Sequence, residues 1–228
     1  MDKSGNMVEL NHVKKAYKGN VLFTDLNLKI QRGESCAIIG VNGAGKSVLL
    51  KMVCGLALPD EGEIIVDGEK IKQGKFPRNI GVILDNAGFL PNETGLKNLS
   101  IIAGILKKAT RAELEDVMRL VGLNPASQVK VGKYSLGMKQ RLAIAQALME
   151  KPSLLILDEP FNAIDKKSVE DFRQLLGRLN TQEGVTILIT SHHPEDIHGL
   201  CGSIYEIESG HLRKMGPTEI AYASILRM

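Results

Sequence analysis

The stretch "GVNGAGKS", Gly40 to Ser47, follows the apolar run "SCAIIG" and leads into "KSVLLKMV", whose apolar residues recur at helical spacing. An apolar strand, a glycine-rich turn and a helix start, closed by Lys-Ser, is the pattern of a phosphate-binding loop. Each residue type has a reason. The glycines let backbone N–H groups close on phosphate oxygens, and Lys46 reaches the outer phosphates. The Ser47 hydroxyl is a Mg²⁺ ligand of the kind such loops supply. Gly40, Val41, Asn42, Gly43, Ala44, Gly45, Lys46 and Ser47, with Val48 beside them, are therefore expected to hold a nucleoside triphosphate.

Working outward, two further apolar runs end in chemistry-bearing residues. "LLILDEP" closes on Asp158 and Glu159, and "VTILITS" leads into His192 and His193. Bare apolar runs of this length suit central parallel strands covered on both faces. Neighbouring strand residues point to opposite faces, so one acid can serve a metal and the other a water. A histidine at the end of a parallel strand can reach the outer phosphate of a nucleotide held beside it.

Before the phosphate loop, "MVELNHV" and "LNLKI" read as strands. After its helix, "EIIVDGEKI" reads as a hairpin turning at Asp67-Gly68, followed by the strand "IGVILD". From Asn86 the character changes. "NAGFLPNETG" is turn-rich, and Leu96, Leu99, Ala103 and Leu106 then share one helical stripe. "TRAELEDVMRLVG" opens on Thr110 and Glu113 in capping-box spacing and closes on Gly122. In "YSLGMKQR", Ser135 is a good N-cap for the helical pattern of Leu142, Ile144, Ala145 and Leu148. A capped helix start presents unpaired N–H groups and can face an anion.

The expected fold class is α/β: a phosphate-loop nucleotide-binding core with an N-terminal antiparallel β part and an inserted helical subdomain. The core is expected at about 1–85 and 151–228, and the helical part at about 86–150, within one domain spanning 1–228. The tail "PTEIAYASILRM" reads as helical.

With 43% hydrophobic residues, the 228-residue chain can bury a proper core. Its 29 Lys and Arg against 26 Asp and Glu leave a net charge of only +3, which argues for no nucleic-acid partner. "KQGKFPR" reads as a solvated loop. Cys36, Cys54 and Cys201 are scattered, so no disulfides are expected, as suits a reducing cytosol. The N-terminus lacks a signal peptide's apolar stretch. The longest nearly apolar run, "LSIIAGIL", falls far short of the roughly 20 residues a spanning helix needs. Any membrane role is expected to come through a partner.

Taken together, these signals resemble the ATP-binding subunits of ABC transporters over nearly the whole chain. "YSLGMKQRLAIAQAL" looks like the family's signature motif, with Ser135 and Gly137 in its key slots. Phosphate loop, signature, Asp-Glu strand and switch histidine come in the family's order. The resemblance implies a head-to-tail dimer in which the signature of one subunit caps the ATP of the other. It implies Tyr17 stacking on adenine, Asp158 at Mg²⁺, Glu159 as general base, His192 as switch histidine with His193 spare, and Asp165 in "NAID" crossing the dimer seam. It also implies a second nucleotide-binding subunit and an integral membrane permease as partners, with the chain cytoplasmic at the inner face of the membrane.

Three positions depart from the family pattern. Val48 replaces a hydroxyl residue, which removes one hydrogen bond to an inner phosphate and should weaken ATP binding without abolishing it. Asp85 stands where the family has a glutamine that touches Mg²⁺. Leu136 and Met138 replace signature residues. The acidic residue at position 85 together with "SLGMKQR" resembles bacitracin- and lantibiotic-type exporters. The expected function is MgATP hydrolysis that drives a solute outward through a separate membrane protein. The alternatives are a soluble ABC ATPase serving a cytosolic assembly, such as iron–sulfur cluster biogenesis, and a small phosphotransferase, against which the signature argues.

Overall fold

The computed structural model describes residues 5–17, 19–84, 88–106, 109–162, 166–192, 197, 199–216 and 219. Asp85, Asp165, His193 and the tail from 220 onward, all singled out above, lie outside these described residues.

Strands β1 (Asn6–Tyr17) and β2 (Asn20–Gln31) form a long antiparallel hairpin, with β4 (Glu61–Val66) and β5 (Glu69–Lys70) completing a four-stranded sheet in the order β2-β1-β4-β5. The expected turn stands at Asp67 and Gly68, both at positive φ, as a two-residue hairpin loop of this type requires. The second sheet has six strands in the order β10-β9-β3-β8-β7-β6. Here β3 (Ser35–Ile39), β6 (Ile80–Ile83), β7 (Leu154–Asp158), β8 (Thr186–Ser191) and β9 (Ser203–Glu208) run parallel, and β10 (His211–Lys214) returns antiparallel at one edge.

The central strands are mainly apolar because both faces are covered. Cys36 and Ile38 of β3, Leu154 and Ile156 of β7 and Leu188 of β8 pack toward the four-stranded sheet and helix α1 (Lys46–Val53). Their alternates Ala37, Ile39, Leu155, Leu157, Ile187 and Ile189 face the helical side. That side is built by α2 (Gly95–Leu106), α3 (Arg111–Leu120), α4 (Leu136–Leu148) and α5 (Lys166–Glu183), with a 3₁₀ turn at Val131–Lys133. Leu49, Leu50, Met52 and Val53 of α1 are buried on the other side, each contributing roughly 1.5–3 kcal/mol relative to exposure. Among the described residues, no helix is long and apolar enough to cross a membrane.

Local signals account for the helix starts. Thr110 and Glu113 form the capping box of α3, each side chain meeting the other's backbone N–H. Ser135 Oγ accepts from the Met138 N–H, 3.2 Å away, and so caps α4. Leu99 and Ala103 are buried on the α2 stripe and Leu96 packs against the same core; the Leu106 side chain lies outside the described set. The run 72–78 is exposed apart from half-buried Pro77. All three cysteines are free thiols. Burial pushes Cys54 up to about 12, Cys201 up to about 11, and Cys36 well above its ordinary value.

The two sheets meet at the tip of the β9–β10 hairpin. Ser209 and Gly210 both take positive φ in this turn, and the Thr24 N–H of β2 donates to the Gly210 carbonyl at 3.2 Å.

Candidate functional site

The phosphate loop leaves the end of β3, Asp158 and Glu159 stand at the end of β7, and His192 follows β8. The sheet order β3-β8-β7 makes these three ends neighbours, so the chemistry collects at the carboxyl edge of adjacent parallel strands. A cavity of about 360 Å³ opens there. Of the expected residues, Asn42, Gly43, Gly45, Lys46, Ser47, Val48, Glu159 and His192 line it. Gly40, Val41 and Ala44 complete the loop without lining the cavity.

Gly45 shows why this loop needs glycine. Its φ is +101, and a Cβ there would fall 2.6 Å from Cζ of Phe23, a ring with no exposed surface. The backbone thus passes directly under Phe23 into α1, leaving the first N–H groups of the helix toward the cavity as an anion cradle.

Lys46 is almost fully buried. Its ammonium donates to the Gly40 carbonyl at 2.8 Å and the Val41 carbonyl at 3.4 Å, and lies 3.2 Å from Glu159 Oε1. The other carboxylate oxygen, Oε2, accepts from the His192 N–H at 3.2 Å and lies 2.7 Å from His192 Nδ1. An ionised carboxylate only accepts, so Nδ1 carries the proton. Lys46, Glu159 and His192, far apart in sequence, therefore form one connected group.

The two acids behave differently because β7 ends between them. Asp158 continues the strand, and its Oδ1 accepts from the Thr190 hydroxyl at 2.5 Å. Glu159 leaves the strand with φ +47, a left-handed conformation that costs a non-glycine residue about 1–3 kcal/mol. Its N–H donates to Thr190 Oγ1 at 3.0 Å. Thr190 is a contributor that the motif reading missed. Thr190 is one of three buried hydroxyl residues of β8, with Thr186 and Ser191, and a buried hydroxyl must find a partner, which was the available signal. Asn162 and Leu22, which also line the cavity, carried no such mark.

Beyond the loop, four expected residues among the described ones do not line this cavity. Asp158 is one of them, tied to Thr190. Tyr17, at the end of β1, is half exposed, with the Lys15 ammonium 5.1 Å from its ring centroid. Ser135, exposed, and Gly137, half buried, stand at the start of α4; Gly137 borders a different cavity between α3, α4 and α5. Within one chain, the Ser135 end of α4 thus does not border the phosphate-loop cavity.

Among the described residues, no three His, Cys, Asp or Glu side chains gather as a metal cage. Ser47 brings a hydroxyl to the cavity, and Asp158, at the end of β7 just outside its lining, brings a carboxylate. Such hard oxygen donors fit Mg²⁺ when phosphate oxygens and water complete its shell.

A phosphate loop between a parallel strand and a helix, with two acids at the end of β7, one strand beyond the intervening β8, defines a nucleoside triphosphatase of the P-loop class. A family model described as ABC transporter matches residues 23–162. The uncharacterized ABC transporter ATP-binding protein YybJ of Bacillus subtilis (strain 168) is 41% identical over 207 residues, covering 90% of this chain and 94% of that protein. The bacitracin transport ATP-binding protein BcrA of Enterococcus faecalis is 35% identical over 208 residues, 90% of this chain and 68% of that protein. The dimeric post-hydrolysis state of the ATP-binding cassette MJ0796, bound to ADP and Pi, superposes with a TM-score of 0.82 at 27% identity, covering 92% of this chain and 98% of that one. The chain belongs to the ABC transporter family, as an ATP-binding subunit and ATPase.

Proposed function

We propose that the chain hydrolyses MgATP in a head-to-tail dimer and thereby drives solute export through a separate integral membrane subunit. The observation that carries this reading is the carboxylate of Glu159, held between Lys46 and His192 at the phosphate-loop cavity. On this reading the chain is a single ABC ATPase domain with its signature in the helical part, about 86–150.

Glu159 is the general base. It takes a proton from the attacking water as that water's oxygen bonds to the γ-phosphorus and the bond to the β-phosphate oxygen breaks. The loop amides and Lys46 hold the phosphates and offset the charge that develops on the transferring group. His192 orients the base through its Nδ1–H. Ser47, Asp158 and Asp85 are the residues that would hold Mg²⁺, which supplies charge neutralisation on the phosphate oxygens. Tyr17 stacks on adenine, while Asp165 crosses the seam.

Ser135 and Gly137 serve the partner's nucleotide. Their position away from this chain's own cavity supports that role, and so does the dimeric state of the solved cassette. The bacitracin transport relative supports a transport role, and the outward direction and the cytoplasmic place at the membrane's inner face are part of the proposal.

The dimer is tested with Glu159→Gln, which keeps the shape and removes the base. The variant is expected to run as a dimer with MgATP and as a monomer without it. A monomer under both conditions overturns the reading. Export is tested by the bacitracin susceptibility of the host carrying Lys46→Ala. Unchanged susceptibility removes a bacitracin-type peptide as the solute.

A further inference from the structure

The turn that carries Glu159 is anchored from three directions. Thr190 holds it from β8, and Phe161 sets its ring against Phe172 of α5, with centroids 5.4 Å apart. The third anchor comes from α4: half-buried Gln140 donates from Nε2 to the Pro160 carbonyl at 2.9 Å. Pro160 directly follows Glu159 and has no N–H of its own, so this carbonyl is the handle its backbone offers.

This bond is not what attaches α4 to the molecule. The next residue, Arg141, donates to the Val121 carbonyl and to Asp171 Oδ2, each at 3.0 Å, tying α4 to the end of α3 and to α5. The buried residues Leu142, Ala143, Ile144 and Ala145 fix the helix further. Gln140 therefore adds little to the anchoring of the lobe. Its amide instead meets the backbone beside the base.

We propose that Gln140 is a positioning residue that links the start of α4 to the chain's own Glu159. The inference rests on the head-to-tail reading, in which the Ser135 end of α4 meets the partner's nucleotide. A shift of α4 when that end is engaged is carried through the Gln140 amide to the Pro160 carbonyl, and so to the φ +47 turn that aims the carboxylate. Occupancy of one site is thereby felt at the base of the other, as a coupling between two distinct sites.

The test compares wild type with Gln140→Met, which keeps the length and loses the donor, and Gln140→Glu, which keeps the shape and sets an acceptor against the carbonyl. ATP hydrolysis is titrated on the full chain. In both variants kcat is expected to fall two- to tenfold, the range a neutral hydrogen bond can supply, with half-saturation by ATP unchanged. The Hill coefficient is expected to lie above one in wild type and to fall toward one in the variants. Dimerisation with MgATP is read in the Glu159→Gln background and should persist in both variants.

Unchanged kcat and Hill coefficient overturn the proposal, and so does a wild-type Hill coefficient of one. A fall in activity matched by lost ATP binding assigns Gln140 a purely structural role and overturns it as well. If Glu159→Gln alone fails to dimerise with MgATP, the head-to-tail reading has failed, and the coupling between sites falls with it. The kcat comparison then still decides whether Gln140 positions the base.

Discussion

The Lys46 ammonium lies 3.2 Å from Glu159 Oε1, so the phosphate loop's cation is paired with the carboxylate at the end of β7. Both groups are mostly buried, which makes the pair sensitive to loss of either partner. A nucleotide entering the cavity must draw Lys46 away from Glu159 and from the Gly40 and Val41 carbonyls. On the proposed reading, in which Glu159 is the base, binding and release of the base are one event.

Lys46→Ala removes the side-chain cation of the loop. Turnover is expected to fall at least ~100-fold, the scale on which loss of one preorganised charge-stabilising group is felt. Steady-state hydrolysis checks it, and near-normal turnover would remove Lys46 from the catalytic group.

Gly45→Ala places a methyl group 2.6 Å from the buried Phe23 ring, on a backbone at φ +101. Overpacking and backbone strain together are expected to cost about 1–3 kcal/mol. Thermal unfolding should report the lower stability and a fluorescent ATP analogue the weakened cradle. Wild-type values for both would show that Phe23 yields.

Ser135→Arg, made in the Glu159→Gln background, sets a bulky cation at the exposed start of α4. The exposed helix end alone offers an anion only ~0.3–1 kcal/mol, so ATP binding by the monomer should hardly change. The ATP-dependent dimer should be lost on a sizing column. Loss of ATP binding by the monomer itself would mean that the signature serves its own chain's nucleotide.

Much of this was readable from local chemistry. The loop from Gly40 to Ser47, the Thr110–Glu113 box and the Ser135 cap each rest on residues a few positions apart. The lengths of β1 and β2 were not. His12 takes φ +52 in β1, and the pairing with β2 shifts register between Leu10 and Val13, which breaks the period-of-two pattern that marks a strand. The contacts of Lys46 with Glu159 and of Gln140 with Pro160 were equally hidden, because only the stacking of β3, β8, β7 and α4 brings those residues together.

Glu113 offers a test of the cap by pH. Its hydrogen bond to Lys151, and then those to Thr110, hold its carboxyl down at about 2, below the ordinary 4.5. A depressed folded-state value means that its contribution is complete above about pH 4.5 and disappears as pH falls to about 2. The Tm difference between wild type and Glu113→Gln should be constant near neutrality and shrink across that window. A difference independent of pH would show that charge plays no part in the cap.

The contact of Thr24 with Gly210 has a consequence for solubility. Strand β2 is a long outer strand of its sheet, and such a border can recruit a strand from another molecule and seed aggregation. The hairpin tip of the neighbouring sheet covers part of that border, engaging the Thr24 N–H, while the Thr24 hydroxyl meets His211 Nε2 at 3.0 Å. The turn at Ser209-Gly210 therefore acts as a guard, blunting the border against sheet-to-sheet polymerisation where many copies of the chain are crowded together.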